Sequence, residues 1–176
     1  MTYCNSVLEF KRKAFKMGIC ERYKDGWSKA TNNKDLADMI MTVQGADFIC
    51  ASVAQKWGVR NDDLMLNLYD FANGNYTRKC QGYDTELYLA YDGKIVVKST
   101  LYIVLNSEDV EIYIPRYRAT NIYMAGCKNV RISCDGVAHI VKYGDCNINV
   151  VRGNSETVKI ADPSKIKDSW YFKKPI

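Results

Sequence analysis

From the N-terminus to about Asn75 the apolar residues recur every three or four positions, the period of amphipathic helices, and helix-ending residues punctuate them. Ser6 is placed to cap a first helix that carries Val7, Leu8, Phe10, Phe15 and Met17 and that Gly18 ends. Ile19, Tyr23 and Trp27 then follow one turn apart, on a single stripe. Asn33 precedes a third segment in which Leu36, Met39, Ile40 and Val43 share a face, with Gln44-Gly45 as the expected stop. A fourth helix is expected from near Asp47 to Gly58, burying Phe48, Ile49, Ser52, Val53 and Trp57. Asn61 caps a fifth, whose first turn holds Asp62 and Asp63 where carboxylates complement the helix dipole, and Asn73-Gly74 closes it.

Beyond Asn75 the period changes to two. ELYLAY, KIVVKSTLYIVL, VEIYI, NIYM, NVRIS, HIVK, NINVV and TVKI are rich in β-branched and aromatic residues and read as strands. Folded back every 18 residues, their apolar positions align: Val96, Ile114, Ile132 and Val150 in one column, Val104, Ile122, Ile140 and Val158 in another, Ile112, Val130 and Ile148 in a third. Gly126 aligns with Gly144 and Asn129 with Asn147. Such a repeat gives two short strands per coil, stacked on their equivalents around a continuous interior.

The expected fold class is therefore α+β: a small helical bundle over residues 1–79, a short β-solenoid of about 18 residues per coil over 80–162, and a capping tail over 163–176. An antiparallel β-sandwich or meander is the alternative, because its strands share this regular spacing. The hexapeptide pattern of left-handed β-helices is absent, since Arg118, Gly136 and Lys142 occupy the intervening slots. Open coil ends expose unpaired strand edges, so the helical region and the SWYF tail (Ser169 to Phe172) are the expected covers.

Composition narrows the chemistry. The chain has 176 residues, 47% of them hydrophobic and 26% charged, enough for one ordinary domain with its own core. A single histidine, His139, excludes His-rich metal sites, and seven cysteines without a C-x-x-C pair suit reduced thiols better than zinc or a disulfide framework. Cys134, beside Asp135-Gly136, is the thiol expected to be most exposed, with Asp135 disfavouring its thiolate. No long apolar run suggests a membrane span, and the lysines follow Leu8 and Phe10 rather than preceding an apolar stretch, so the expectation is a cytoplasmic protein. No phosphate-cradling glycine motif is present, and Glu108, Asp109, Asp135 and Asp145 are not paired by any spacing that marks glycoside chemistry. The expectation is thus no enzyme and no cofactor.

Two binding modes remain. Segment 52–71, SVAQKWGVRNDDLMLNLYDF, has the Ala54, Gly58, Val59 and Asn61 spacing of a helix-turn-helix, but Asp62, Asp63 and Asp70 on its second helix would repel phosphates, which favours a packing role. The tail, with Lys165, Lys167, Trp170, Tyr171, Phe172, Lys173 and Lys174, combines cations and stacking rings as single-stranded nucleic-acid binders do. Lys11, Arg12, Lys13 and Lys16 read as the solvated face of the first helix. The net charge of +5 permits attraction to nucleic acid without requiring it.

The stretch from Cys20 to Tyr76, with CERYKDGWSKATNNKDLADM, GADFICASVAQKWGV and DFANGNY, resembles short uncharacterised proteins of gut anaerobic bacteria and their phages. The resemblance covers about a third of the chain and brings no catalytic residue with it. It implies an accessory-gene setting, a phage or mobile element. The function expected first is that of a non-enzymatic interaction or accessory protein, in which Tyr113, Arg116, Tyr117, Arg118, Tyr123 and Arg131 of the β-rich region meet a host or particle protein, because Tyr and Arg anchor interfaces. The alternative is a nucleic-acid binder using segment 52–71 or the basic, aromatic tail.

Overall fold

The structure, a computed structural model, describes residues 3–55, 61–80 and 82–163. Helices α1 (Tyr3–Lys16), α2 (Glu21–Lys29), α3 (Asn33–Ile40), α4 (Val43–Gln55) and α5 (Asn61–Leu68) come first, followed by a single 3-10 turn, Tyr69–Phe71. Their boundaries differ from the pattern in three places. Helix α1 begins ahead of Ser6, and α3 is capped by Asn32, whose side chain accepts the Asp35 N–H at 2.9 Å. Gln44-Gly45 does not close α3 but opens α4, after a 97° bend at Met41 and Thr42. The Thr42 hydroxyl accepts the Gly45 N–H at 3.0 Å, and a Cβ on Gly45 would lie 2.1 Å from the Met39 carbonyl oxygen. Glycine serves close approach here, which in sequence looks the same as a stop. Trp57 and Gly58 lie outside the described residues.

Ten strands follow among the described residues: β1 (Thr77–Cys80), β2 (Tyr83–Leu89), β3 (Gly93–Val96), β4 (Leu101–Leu105), β5 (Asp109–Ile114), β6 (Ala119–Ala125), β7 (Asn129–Cys134), β8 (Val137–Tyr143), β9 (Ile148–Arg152) and β10 (Val158–Ala161). One sheet has the order β1-β2-β4-β6-β8-β10 and the other β3-β5-β7-β9. Every neighbouring pair is parallel except β1 with β2. This is a β-solenoid of about four turns with about 18 residues per coil, not an antiparallel sandwich or meander.

The coils are not of equal length. On the larger sheet the pairing runs Thr85, Leu101, Asn121, His139, Lys159, each step an even number of residues, so every coil keeps its inward positions inward. On the smaller sheet β3 is offset by an odd step: Ile95, not Val96, pairs with Ile112 and then Ile132 and Val150. Ile95 is accordingly buried and Val96 is 48% exposed. One corner recurs in left-handed conformation at Ala90, Asn106, Gly126 and Gly144, with φ of 46°, 57°, 68° and 67°. The aligned glycines belong to this corner, where glycine is free of the Cβ penalty.

Two cores result. Tyr88, Tyr102, Val104, Ile122, Met124 and Ile140 of the larger sheet face Val110, Ile112, Val130 and Ile132 of the smaller one inside the solenoid. Leu87, Leu89, Ile103, Leu105 and Ala125 point out of the larger sheet and are buried against Phe48, Ile49 and their neighbours in the helical layer. Burying each such Leu or Ile contributes up to about 1.5–3 kcal/mol. The helical region therefore covers a face of the solenoid rather than its open end. The end at β2 is covered by the linker after the helices: Asn73 N–H donates to the Leu87 carbonyl at 2.8 Å, the Asn73 side chain accepts the Leu89 N–H at 2.9 Å, and β1 pairs with the rest of β2. The SWYF tail expected at the opposite end lies outside the described residues. No single helix among the described residues is long and apolar enough to cross a membrane.

Candidate functional site

The outer face of the smaller sheet is a grid of ion pairs generated by its register. Lys94 meets Glu111 at 3.2 Å, Arg131 meets Asp109 at 2.6 Å, Arg152 meets Asp135 at 2.8 Å, and Lys128 meets Glu108 at 2.7 Å. Each is exposed and worth about 0–1 kcal/mol. Tyr113 stands inside this grid. Its ring lies 5.6 Å from both the Lys94 ammonium and the Arg152 guanidinium, and its hydroxyl donates to Asp135 at 3.0 Å. Tyr113 and Arg131 are thus engaged within their own sheet.

The turn between β5 and β6 is built differently. Arg118 N–H closes it on the Pro115 carbonyl at 3.1 Å, which puts Tyr117 in the third position with φ of 66°. That position favours glycine or asparagine, and a bulky side chain there is strained. Tyr117 is 90% exposed, and the Arg116 guanidinium sits 5.1 Å over its ring. Among the described residues neither Arg116 nor Arg118 has an acidic partner. Lys98, exposed on the preceding coil's equivalent turn, has none either.

Tyr123 does not join this cluster. It projects from β6 on the opposite face of the larger sheet and packs against the helical core. Tyr113 and Tyr123 both point out of the solenoid, but β5 belongs to the smaller sheet and β6 to the larger one, whose outer face the helices cover. Lys165, Lys167, Trp170, Tyr171, Phe172, Lys173 and Lys174 lie outside the described residues. Of segment 52–71, residues 56–60 are also outside them, while α4 is buried along Gln44–Ser52 against sheet and helices.

The acids named from the sequence are divided between two corners. Glu108, Asp109 and Asp145 follow the left-handed corner and Asp135 lies at the other, with Glu108, Asp109 and Asp135 each matched to a cation, and His139 is exposed between Asn121 and Lys159 on β8. Glu108 shares a cavity of about 240 Å³ with Asp92, but the Asp92 carboxylate is occupied by the Glu108 and Asp109 backbone N–H groups at 2.8 and 2.9 Å. No group of three or more His, Cys, Asp or Glu among the described residues could hold a metal ion.

Glu86, buried inside the first coil, accepts from the Ser99 hydroxyl at 2.6 Å and from the Tyr88 hydroxyl at 3.1 Å. Burial, and then the Glu86 carboxylate, push the Tyr88 phenol up. Cys134 is only 3% exposed, contrary to its turn-like sequence context, and burial raises its thiol with Asp135 acting in the same direction. Cys20 and Cys80 are instead the exposed thiols among those described.

No protein-family model, curated protein or solved structure matches this chain.

Proposed function

We propose that this protein is a non-enzymatic interaction module that grips an acidic protein partner through the turn Pro115–Arg118. The observation that supports the reading is Tyr117, held at φ of 66° and 90% exposed between two arginines that have no acidic partner among the described residues. Left-handed backbone costs a residue with a Cβ about 1–2 kcal/mol, and glycine would occupy the same turn without it. Nothing inside the fold needs a phenol at this position, so its use lies in what it meets outside. Tyr and Arg bury large areas while keeping hydrogen-bond capacity, which makes them common interface anchors. Lys98 on the neighbouring turn extends the positive edge, and acidic groups on the partner complement it. In an accessory-gene setting the partner is a host or particle protein.

The test is affinity capture from cells that encode the protein, with nuclease treatment, using wild type and an Arg116→Ala/Arg118→Ala variant. A stoichiometric protein that survives nuclease and is lost with the variant supports the reading. A catch that nuclease removes, or that the variant retains in full, overturns it.

A further inference from the structure

A second site lies away from this turn, in the crevice where the helical layer meets the β1–β2 hairpin. It is a cavity of about 280 Å³, at the small end of ligand pockets. Its buried lining is Met41, Thr42, Leu101 and Thr85, the Thr42 hydroxyl being engaged with the Met39 carbonyl and the Gly45 N–H, and its outer lining includes Arg22 of α2, Arg78 of β1 and Tyr83 of β2.

Three features of this lining point the same way. Neither Arg22 nor Arg78 has an acidic partner among the described residues, and no carboxylate lines the cavity. The nearby acids of α2 are already matched, Glu21 to Lys24 at 2.5 Å and Asp25 to Lys29 at 2.8 Å. The third feature is Thr85. Its side chain is fully buried, yet among the described residues its hydroxyl has no hydrogen-bond partner. A buried hydroxyl without a partner costs stability that a ligand oxygen recovers.

We infer that this crevice binds a small organic anion, a carboxylate or a phosphate monoester attached to a short apolar group. Arg22 and Arg78 neutralise the anion, with their planar guanidinium forks matching two oxygens at once. The Thr85 hydroxyl donates to the anion's inner oxygen, and Met41 and Leu101 take the apolar part. Carboxylate and phosphate share this recognition chemistry, so the probes separate them. The site does not depend on the Pro115–Arg118 turn and stands or falls independently of it.

The test uses the full chain and three probes: benzoate, phenyl phosphate and uncharged benzyl alcohol. Backbone amide NMR titration is expected to show benzoate or phenyl phosphate, but not benzyl alcohol, shifting the signals of Arg78, Thr85 and Leu101. Arg78→Gln and Arg22→Gln are each expected to weaken the bound probe roughly 10-fold or more, as loss of a charge-assisted hydrogen bond does. Whichever anion binds more tightly names the ligand class. Thr85→Val supplies a readout independent of charge: it should raise the melting temperature of the free protein, because an unpartnered hydroxyl is removed, while shrinking the shift on adding probe. Equal binding of benzyl alcohol, no binding of either anion, or anion binding unchanged in both arginine variants would overturn the inference. A Thr85→Val protein that melts lower and binds as wild type would also overturn it, since the hydroxyl would then be satisfied within the fold.

Discussion

The Tyr143 hydroxyl of β8 donates to the Asp47 carboxylate of α4, joining residues 96 positions apart across the helix–sheet boundary. Both are buried, in the layer where the helices cover the solenoid's larger sheet. Tyr143→Phe keeps the ring's packing but deprives a buried carboxylate of one donor. Hydrogen bonds to charged groups contribute about 1.5–3 kcal/mol, so the variant should lose that much stability in urea unfolding, with an unchanged far-ultraviolet spectrum. An unaltered midpoint would show that this pair does not hold the layers together.

Tyr117 should behave in the opposite way. Tyr117→Gly removes the left-handed penalty of about 1–2 kcal/mol and adds an unfolded-state entropy cost of about 0.4–1 kcal/mol. The side chain is 90% exposed, so little packing is lost. The expected outcome is a gain of about 0.5–1 kcal/mol in stability accompanied by loss of partner capture. Thermal unfolding and capture on the same sample check both halves.

The thiols give a pH dependence. Cys127 and Cys146 titrate as a pair inside the solenoid: hydrogen bonding from Cys127 and attraction from the Lys142 ammonium outweigh burial and hold the Cys146 thiol below its ordinary 9.0, while the same contact pushes the Cys127 thiol up. The folded pair gives up its first proton at lower pH than the unfolded chain does, so its contribution to stability grows as pH rises towards 9 and is lost as pH falls through the depressed value. Wild type in reductant should therefore gain stability from pH 7 to pH 9 relative to Cys146→Ser. Parallel urea midpoints for the two proteins at both pH values would contradict this.

Much of the fold is legible in the sequence because solenoid strands alternate strictly, and even changes in coil length preserve which side chains point inward. Other positions depart from that pattern. Val96 fitted its column, but β3 is offset from β5 by an odd step, so Ile95 takes the interior place. Tyr123 looked like a companion of Tyr113 and instead faces the helices, because sheet membership is set by the path of each coil rather than by spacing. Cys134 preceded a turn-like Asp-Gly and is nonetheless inside, as the last inward residue of β7. The linker from Ala72 to Cys80, with Asn73 and β1 closing the edge of β2, left no periodic signal because it is short and pairs across a hairpin. The crevice beneath Arg22 and Arg78 was equally hidden, since its residues come from α2, the α3–α4 corner, β1, β2 and β4.

Site-specific photocrosslinking at position 117 tests the central claim most directly. A photoreactive phenylalanine analogue replaces Tyr117 in one protein and Tyr113, sandwiched in its ion-pair grid, in a control. The account predicts one discrete, nuclease-resistant protein adduct from position 117, much weaker from 113 and absent when Arg116→Ala and Arg118→Ala are added. No adduct at 117, or an adduct that nuclease digests, would contradict it.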